Sequence, residues 1–410
     1  DIAAANIAAL KAGHAFGETA ELPSSLPVFA VSPAKFPKGE YRTVTGTSAL
    51  AWGLTAGCNL AELKLFFASY PITPASPLLH TLASLKEYNV TTFQAEDEIA
   101  AACAAIGASY GGALGVTSSS GPGIALKTEA IGLAIAAELP LLVVNAQRAG
   151  PSTGMPTKTE QSDLYLAVYG RNADSPMVVL APRSSSDCFD VGMQAVQIAT
   201  KFMTPVMILT DTFLVNAAEP WLLPDVDKIE AFPAQFRTDP NNFMPFARDE
   251  ETGARPWVRP GTPGLTHRLG GLERGANTGN VSNDPDNHQK MTLARRNKIL
   301  GIADKIPLQE IDLGDSEGDL AVVGWGSTYG SINQAVLSIR EQGYKVSHIH
   351  VRNIWPLPSN LKDLLSGFKK ILVPELNTGQ LLTIIRAEYL ANARGLNKVA
   401  GKPFRISEVE

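Results

Sequence analysis

Long apolar runs separated by polar turns dominate the first half of the chain. The runs LPLLVVN, PMVVLA and PVMILTD do not alternate between polar and apolar positions, which is typical of strands buried on both faces. Between these runs the apolar positions recur with helical spacing. The pattern predicts helices at about 48–56, 76–86, 124–136 and from 97 onward, and strands at about 64–69, 91–94, 112–118 and 139–145. We therefore expect an α/β protein whose mainly parallel sheet carries helices on both faces.

The distribution of prolines, glycines and periodic segments divides the chain into five parts. Residues 1–20 have an Ala-rich helical pattern, and the prolines that follow indicate a linker over 21–42. The first α/β domain is predicted at 43–218. Residues 219–318 are rich in proline and asparagine and poor in periodicity, which indicates an irregular arm. The remainder has the order strand, glycine turn, helix and strand, so a second α/β domain is expected at 319–410.

Composition and charge argue against several classes of partner. The 410 residues are 45% hydrophobic and 18% charged with a net charge of −5, whereas nucleic-acid-binding proteins carry a basic face. The uncharged stretch 99–126 has the length of a membrane span, but its six glycines and its serines make it too polar for insertion. The N-terminal stretch lacks the basic start and apolar core of a signal peptide. We expect neither a nucleic-acid partner nor membrane attachment.

The cysteine content indicates a reducing compartment. Cys58, Cys103 and Cys188 are far apart, form no CxxC pair and are odd in number, so a disulfide framework is not expected. The expected location is the cytoplasm. These scattered thiols also cannot supply the four thiolates of an iron–sulfur cluster, so such a cluster would need another chain.

Three adjacent carboxylates, Glu96, Asp97 and Glu98, follow a predicted strand and open a helix. Acids in the first turn of a helix are favoured by the helix dipole, which is a sufficient reason for two of them. The residues that follow are mainly Ala, Cys, Gly and Ser, so this helix has a smooth face that can dock closely on another subunit. A carboxylate trapped at such a joint would be desolvated and suited to acid–base work near neutral pH. Glu96 is the candidate for that role.

Two loops at predicted strand ends carry candidate ligand-binding side chains. In YPITPAS the prolines on either side of Thr73 hold its hydroxyl in a rigid turn, although the same spacing also suits a helix cap. In NAQRAGPSTG the preceding strand leads into Arg148, whose planar guanidinium suits a carboxylate; a solvated surface arginine is the alternative. Open α/β sheets bind ligands at the carboxyl ends of their strands.

Two glycine turns and one polar segment carry weaker signals. GWGSTYG follows a strand, but its glycine spacing is one residue too long for a dinucleotide fingerprint, so a plain strand-to-helix turn is favoured. SSSGPGIALK lacks the glycine that a P-loop has before its lysine; it either presents backbone N–H groups to an anion or is a packing turn. His267, Asp284, Asp286 and His288 lie on irregular chain without the calcium-loop glycine, and we assign no metal site.

Together these segments resemble the α subunit of the 2-oxoacid:ferredoxin oxidoreductases, most closely the 2-oxoglutarate type. The resemblance rests on YPITPAS, FQAEDEIAA, GASYGGALGVTSSSGPGIALK, ELPLLVVNAQRAGPSTGMPTKTEQ, THRLGGLE with NDPDNH, and ELNTGQL. They occur in the family's order over roughly residues 43–400, and this ordered set is very specific. One departure is Ala149, where the family usually has glycine.

The resemblance implies a fold and a set of site residues. It implies a thiamine-diphosphate-binding fold of the pyrimidine-binding type at 43–218 and a transketolase C-terminal-like domain at 319–410. Glu96 matches the acid that hydrogen-bonds N1′ of the aminopyrimidine ring, so it is the implied catalytic residue. Thr73 and Arg148 match residues that contact the 2-oxo acid, with Arg148 binding its carboxylate. The implied cofactor contacts are Tyr70, Ile72, Thr73, Glu96, Ser120 and Gly121.

The resemblance also implies partners and a reaction. A β subunit would carry the diphosphate, its Mg²⁺ and a 4Fe–4S cluster, and two αβ pairs would form a heterotetramer. The implied reaction converts 2-oxoglutarate and coenzyme A to succinyl-CoA and CO₂ and passes electrons to ferredoxin. Pyruvate or a range of 2-oxo acids is the alternative substrate; a non-oxidative transketolase-type enzyme and a non-catalytic scaffold subunit are the alternative functions. Residues 1–20 resemble the tail of the γ domain of fused members, which usually shares the coenzyme A contacts.

Overall fold

The structure is a computed structural model that describes residues 1–20, 34 and 36–410, in two units. The first unit, residues 1–40, contains α1 (Ile2–Thr19), the predicted Ala-rich helix. Asp1 caps this helix by accepting a hydrogen bond from Ala3 N (3.0 Å). Most of the predicted linker lies outside the described residues.

The second unit, residues 41–410, contains the two predicted α/β parts and the arm. Its elements in chain order are β1 (Tyr41–Thr45), α2 (Gly46–Leu60), β2 (Leu65–Ser69), α3 (Ser76–Ala83), β3 (Val90–Gln94), α4 (Glu98–Tyr110), β4 (Leu114–Ser119), α5 (Gly121–Leu126), α6 (Thr128–Ala137), β5 (Leu141–Gln147), α7 (Leu164–Tyr169), β6 (Val178–Leu180), α8 (Asp187–Phe202), β7 (Pro205–Asp211), α9 (Thr212–Asn216), β8 (Ala218–Leu222), α10 (Pro285–Gly301), β9 (Gly318–Gly324), α11 (Tyr329–Glu341), β10 (Val346–His350), β11 (Asn353–Trp355), α12 (Leu361–Ser366), β12 (Phe368–Glu375), α13 (Gln380–Tyr389), β13 (Ala393–Asn397) and α14 (Ile406–Val409).

A seven-stranded sheet has the order β11-β6-β7-β5-β4-β2-β3, and only β11 runs antiparallel to its neighbour. This confirms the predicted mainly parallel sheet. A second sheet, β10-β9-β12-β13, is parallel throughout, and β1 pairs with β8 in a two-stranded antiparallel ribbon. Because β11 comes from the C-terminal part of the chain, that part contributes to both larger sheets.

The large sheet is buried on both faces. Leu141 and Val143 of β5 pack toward the core cluster that includes α4 and α6, whereas Leu142 and Val144 pack toward α2 and α8. This arrangement explains the continuous apolar runs, since successive side chains point to opposite faces and each face meets a helix layer. Within the described residues, no helix has the length and apolar character needed to cross a membrane.

Two helices differ from the sequence prediction. The helix expected at 124–136 is two helices, α5 and α6, which meet at Lys127, and Lys127 turns inward. The arm contains α10, which the pattern did not indicate. Only Met291, Lys298 and Ile299 of α10 are buried, so it has no apolar stripe. Its start signal was present in the sequence, because Asp284 caps it and a proline follows.

The arm, residues 219–318, caps helices that cover the large sheet. The last carbonyls of a helix have no partner within the helix, and this end of the helix dipole favours cations. Donors from the arm reach such carbonyls at the ends of α2, α4, α6 and α8. They are Phe232 N to Leu60 O (3.0 Å), Ala234 N to Ala61 O (3.0 Å), Trp257 Nε1 to Ser109 O (3.1 Å), Arg255 Nε to Ala137 O (2.8 Å) and Lys298 Nζ to Met203 O (3.0 Å).

A buried ion cluster fastens the arm to the end of α6. Glu138 is 1% exposed and accepts hydrogen bonds from both terminal nitrogens of Arg248 and from Lys298 Nζ (2.5 Å). Burial opposes ionisation of Glu138, but the two cations outweigh it and hold its pKa at about 2. Burial lowers the pKa of Lys298 to about 8, which leaves it protonated at neutral pH.

We expect Glu138→Gln to lower the free energy of unfolding by about 3–5 kcal/mol, because the buried Lys298 and the partly buried Arg248 lose their counter-charge. The pKa of Glu138 falls from 4.5 to about 2 on folding, so this contribution is present above pH 4.5 and is lost as the pH falls toward 2. Urea titrations at neutral and acidic pH measure both effects.

The matched control is Asp319→Asn, since Asp319 pairs with Lys369 on the exposed surface. It should leave the urea midpoint unchanged. Equal midpoints for Glu138→Gln and the unaltered chain at neutral pH would contradict the buried cluster's role.

Candidate active site

The predicted site residues follow strands that end side by side at the carboxyl edge of the large sheet. The chain leaves β2 toward β3 on one side and leaves β4 toward β5 on the other. Adjacent strands whose connections diverge form a crevice, which is where open α/β sheets bind ligands. Ser69 Oγ and Ser118 Oγ lie 3.0 Å apart at this crevice.

The segments after β2 and β4 border this crevice from its two sides. The β2 segment contains Tyr70, Ile72 and Thr73, and the β4 segment contains Ser120 and Gly121. The topology thus brings all five of these predicted cofactor contacts to one place.

Arg148 and Thr73 are in direct contact, although they are distant in sequence. Arg148 Nη1 donates to the backbone carbonyl of Thr73 (2.6 Å), and the arginine side chain is 6% exposed. Among the described residues, neither Nε nor Nη2 of Arg148 has a hydrogen-bond partner. Nε and Nη2 share one edge of the guanidinium, so the donors that remain form the parallel pair that fits a carboxylate.

Glu96 lies at the end of β3, next to the same edge. Ala95 N donates to Ser69 O (2.9 Å), which places Glu96 beside the start of the β2 loop. The Glu96 side chain is exposed in this single chain, and none of the described residues forms a hydrogen bond or ion pair with it. Asp97 instead caps α4 by accepting a hydrogen bond from Ala100 N (2.7 Å), as expected for an acid at the start of a helix.

Buried polar atoms without partners concentrate at this edge. Within the described residues they include Ser119 Oγ and Ser120 Oγ after β4, and Asn145 Oδ1 and Arg148 Nε at the end of β5. Folded proteins satisfy nearly all buried polar groups, so such a group of orphans indicates a place that a polar ligand completes.

Three polar residues at the site were missed by the sequence analysis. Lys127 is fully buried, and its Nζ donates to Thr117 Oγ1 (2.7 Å) and Ser118 O (3.0 Å) beneath the β4 turn. Burial lowers its pKa to about 7, although the nearby carboxylate of Glu98 opposes the shift. The other two, Asn145 and Asp163, form a hydrogen bond with each other (Nδ2 to Oδ2, 3.0 Å). The available signal was their position: an isolated lysine after a long uncharged stretch and an amide inside an apolar strand.

The motifs GWGSTYG and ELNTGQL hold the C-terminal part of the chain against the site loop. Gln161 Nε2 donates to Trp325 O (2.7 Å), and Gln161 Oε1 accepts from Leu376 N (3.0 Å). Ser327 Oγ donates to the buried carboxylate of Asp211 at the end of β7. In the structure GWGSTYG connects β9 to α11, in agreement with the preferred interpretation of this motif as a plain strand-to-helix turn.

Comparison with protein families gives two matches that together cover most of the chain. Residues 58–284 match the family "pyruvate flavodoxin/ferredoxin oxidoreductase, thiamine diP-bdg". Residues 318–409 match "pyruvate:ferredoxin oxidoreductase core domain II". The first match confirms the predicted thiamine-diphosphate-binding fold.

Two relatives of named function are similar to this chain over most or all of its length. The chain is 49% identical over 409 residues to 2-oxoglutarate oxidoreductase subunit KorA of Mycobacterium tuberculosis, spanning 100% of this chain but 62% of that protein. It is 33% identical to 2-oxoglutarate synthase subunit KorA of Methanothermobacter marburgensis, covering 89% of this chain and 96% of the relative.

A solved structure is also similar to this chain. It is 2-oxoglutarate:ferredoxin oxidoreductase from Magnetococcus marinus with 2-oxoglutarate, coenzyme A and succinyl-CoA bound. The TM-score is 0.89 at 33% identity, with 98% of this chain and 69% of that chain covered. A split-gene transketolase, at 12% identity and TM-score 0.52, shares the fold alone. On these matches, the chain belongs to the thiamine-diphosphate-binding pyruvate flavodoxin/ferredoxin oxidoreductase family.

Proposed function

We propose that this chain acts as the α subunit of a 2-oxo acid:ferredoxin oxidoreductase with 2-oxoglutarate as its substrate. In the proposed reaction, 2-oxoglutarate and coenzyme A yield succinyl-CoA and CO₂, and two electrons pass singly to ferredoxin. The relatives named 2-oxoglutarate oxidoreductase or synthase support the substrate assignment. The free thiols of all three cysteines are consistent with the proposed cytoplasmic location.

The observation that carries the proposal is the geometry of Arg148. Its Nη1 is engaged by Thr73 O, which fixes the guanidinium plane and leaves the Nε and Nη2 edge for a ligand. A carboxylate accepting from both nitrogens would be held with its oxo carbon oriented, which a lysine or a solvated arginine would not achieve. We infer that this edge binds the carboxylate next to the oxo group, and that the Thr73 hydroxyl lies close to it.

Glu96 has the proposed catalytic role. Thiamine diphosphate, when bound, supplies a nucleophilic carbon for the oxo group and an electron sink for decarboxylation. The Glu96 carboxyl would hold a proton at N1′ of the aminopyrimidine, which governs the ability of the neighbouring amino nitrogen to take up a proton. Tyr70, Ile72, Ser120 and Gly121 would surround the ring. The diphosphate, Mg²⁺ and a 4Fe–4S cluster are assigned to a β subunit.

The exposed face of α4 supports docking of that β subunit. Ala100, Cys103 and Gly107 recur at helical spacing and are exposed, and a Cβ on Gly107 would meet nothing within 4 Å. Ile99 is 48% exposed on the same helix, and Leu126 of the adjacent α5 is 55% exposed. A second chain on this face would cover Glu96 and remove its water. We propose two such αβ pairs in the assembly.

An electron-acceptor assay tests the proposal directly. The complex with its β partner should reduce methyl viologen or ferredoxin only when a 2-oxo acid and coenzyme A are both present, and 2-oxoglutarate should give a higher kcat/KM than pyruvate. Preference for pyruvate would support the alternative substrate. Acyl or ketol transfer without reduction of an acceptor would support the transketolase-type alternative.

Glu96→Gln should reduce kcat of the complex at least ~100-fold, the usual scale of a general acid–base contribution, because an amide cannot exchange a proton with N1′. The matched control is Glu87→Gln, an exposed acid near the opposite end of β3 that should keep full activity. Turnover of the Glu96 variant within twofold or so of the unaltered complex would support the non-catalytic scaffold alternative instead.

Arg148→Lys should raise KM for the 2-oxo acid about 10-fold or more, since one charge-assisted hydrogen bond is worth about 1.5–3 kcal/mol. Lysine keeps the positive charge but cannot present two parallel donors. Arg394→Lys, an exposed substitution on β13, provides the control. Initial rates over a range of 2-oxo acid concentrations measure the effect. An unchanged KM would remove Arg148 from the substrate site.

A further inference from the structure

Asp163 contacts both the turn after β4 and the end of β5. An added Cβ on Gly121 would be 3.2 and 3.3 Å from the two carboxylate oxygens of Asp163, so this carboxyl packs directly on the turn after β4. On its other side, Asp163 Oδ2 accepts from Asn145 Nδ2 (3.0 Å) at the end of β5. One side chain thus links the turn after β4 to the end of β5, the strand that leads into Arg148.

The end of β5 fixes Asp163 at two points. Asn145 and Gln147 are two residues apart on β5, so they share one face of the strand. Asn145 binds the carboxyl, while Gln147 Oε1 accepts from the backbone N of Asp163 (3.1 Å). Gln147 is itself anchored, because its Nε2 donates to Thr210 O on β7 (3.1 Å). Asn145 and Gln147 are both almost fully buried.

The charges around Asp163 are few. Burial raises its pKa, the hydrogen bond from Asn145 lowers it, Glu160 raises it and Arg148 lowers it. The helix packed against it, α5, has no titratable side chain among residues 121–126. Among the described residues, the side-chain hydrogen bond to this carboxyl comes from Asn145, whereas Glu160 and Arg148 act on it only through their charges.

We infer that Asp163 is a positioning residue that, through Asn145, fixes the Ser120–Gly121 turn relative to Arg148. This inference rests on the proposed function, because the turn would meet the cofactor ring and Arg148 the substrate carboxylate. The Asn145–Asp163 hydrogen bond sets the separation between these two ligands. Positioning of the turn requires one hydrogen-bond donor and one acceptor at positions 145 and 163. Which of these two positions carries the negative charge is not important.

A reversed pair tests this inference in the complex with the β partner. Asn145→Asp alone places two carboxyls in contact, and we expect kcat/KM to fall at least ~10-fold at about pH 8, because a hydrogen bond to a charged group is replaced by repulsion. Activity should recover toward about pH 6, where the two acids share one proton. The double variant Asn145→Asp with Asp163→Asn restores one donor and one acceptor, so its kcat/KM and pH profile should approach those of the unaltered complex.

Asp163→Asn alone removes the charge with little risk of a folding defect. The new side chain has the same shape, and its carbonyl still accepts from Asn145. Its kcat/KM should fall, but less than in Asn145→Asp, because a hydrogen bond to a neutral acceptor is weaker than one to a charged acceptor, whereas two adjacent carboxylates repel. A large loss in this variant, or in the double variant, would overturn the inference and make the carboxylate itself necessary. Full activity of Asn145→Asp at high pH would overturn it too.

Titration of each complex with thiamine diphosphate separates this inference from the proposed function. The affinity should fall in Asn145→Asp and return in the double variant, whether or not the complex oxidises 2-oxo acids. Affinities that do not follow this order would overturn the inference. Failure of the unaltered complex to reduce an acceptor, with the affinities in the expected order, would contradict only the proposed function.

Discussion

The parallel arrangement of the large sheet is the constraint on which the rest of the molecule depends. Parallel strands deliver all their carboxyl ends to one edge, and each connection must return through a helix on a face of the sheet. The segments after β2, β3, β4 and β5 therefore meet, although Thr73, Glu96, Ser120 and Arg148 are well separated in sequence. At the opposite edge the same geometry collects helix C-termini, whose carbonyls need donors. The arm supplies those donors through backbone groups and buried cations.

The two edges of the large sheet differ in how their polar groups are satisfied. At the amino edge, the arm donates hydrogen bonds to the last carbonyls of the helices, and the ion pairs of Glu138 hold the arm in place. The unit is thus stabilised at an edge where no chemistry is proposed. At the carboxyl edge, buried oxygen and nitrogen atoms stay unpaired, Arg148 keeps one donor edge free and Glu96 is exposed. Functional sites commonly retain such unsatisfied groups and depend on the surrounding structure for stability. These properties are consistent with the proposed role of the carboxyl edge as half of an active site.

The sequence predicted a mainly parallel sheet covered by helices, because this depends on apolar runs and on turn residues that act locally. It did not predict α10, whose helical face is almost entirely polar. Nor did it predict Asp163, whose role depends on a contact with Gly121 across the sheet edge, or Lys127, whose burial depends on a break between two helices. The roles of Glu96 and the other site residues, and the division into domains, stay predictions: geometry places the residues together, but a role is a property of the ligand-bound complex.

The central claim is that this chain holds half of a thiamine-diphosphate site, and calorimetric titration tests it most directly. Thiamine diphosphate with Mg²⁺ would be titrated into the chain alone, into its β partner alone and into the complex of both. We predict that the complex binds at least ~100-fold more tightly than this chain alone, since Glu96 contributes only at a closed joint; that ratio corresponds to about 2.7 kcal/mol. Binding by this chain alone that is as tight as binding by the complex would contradict the account.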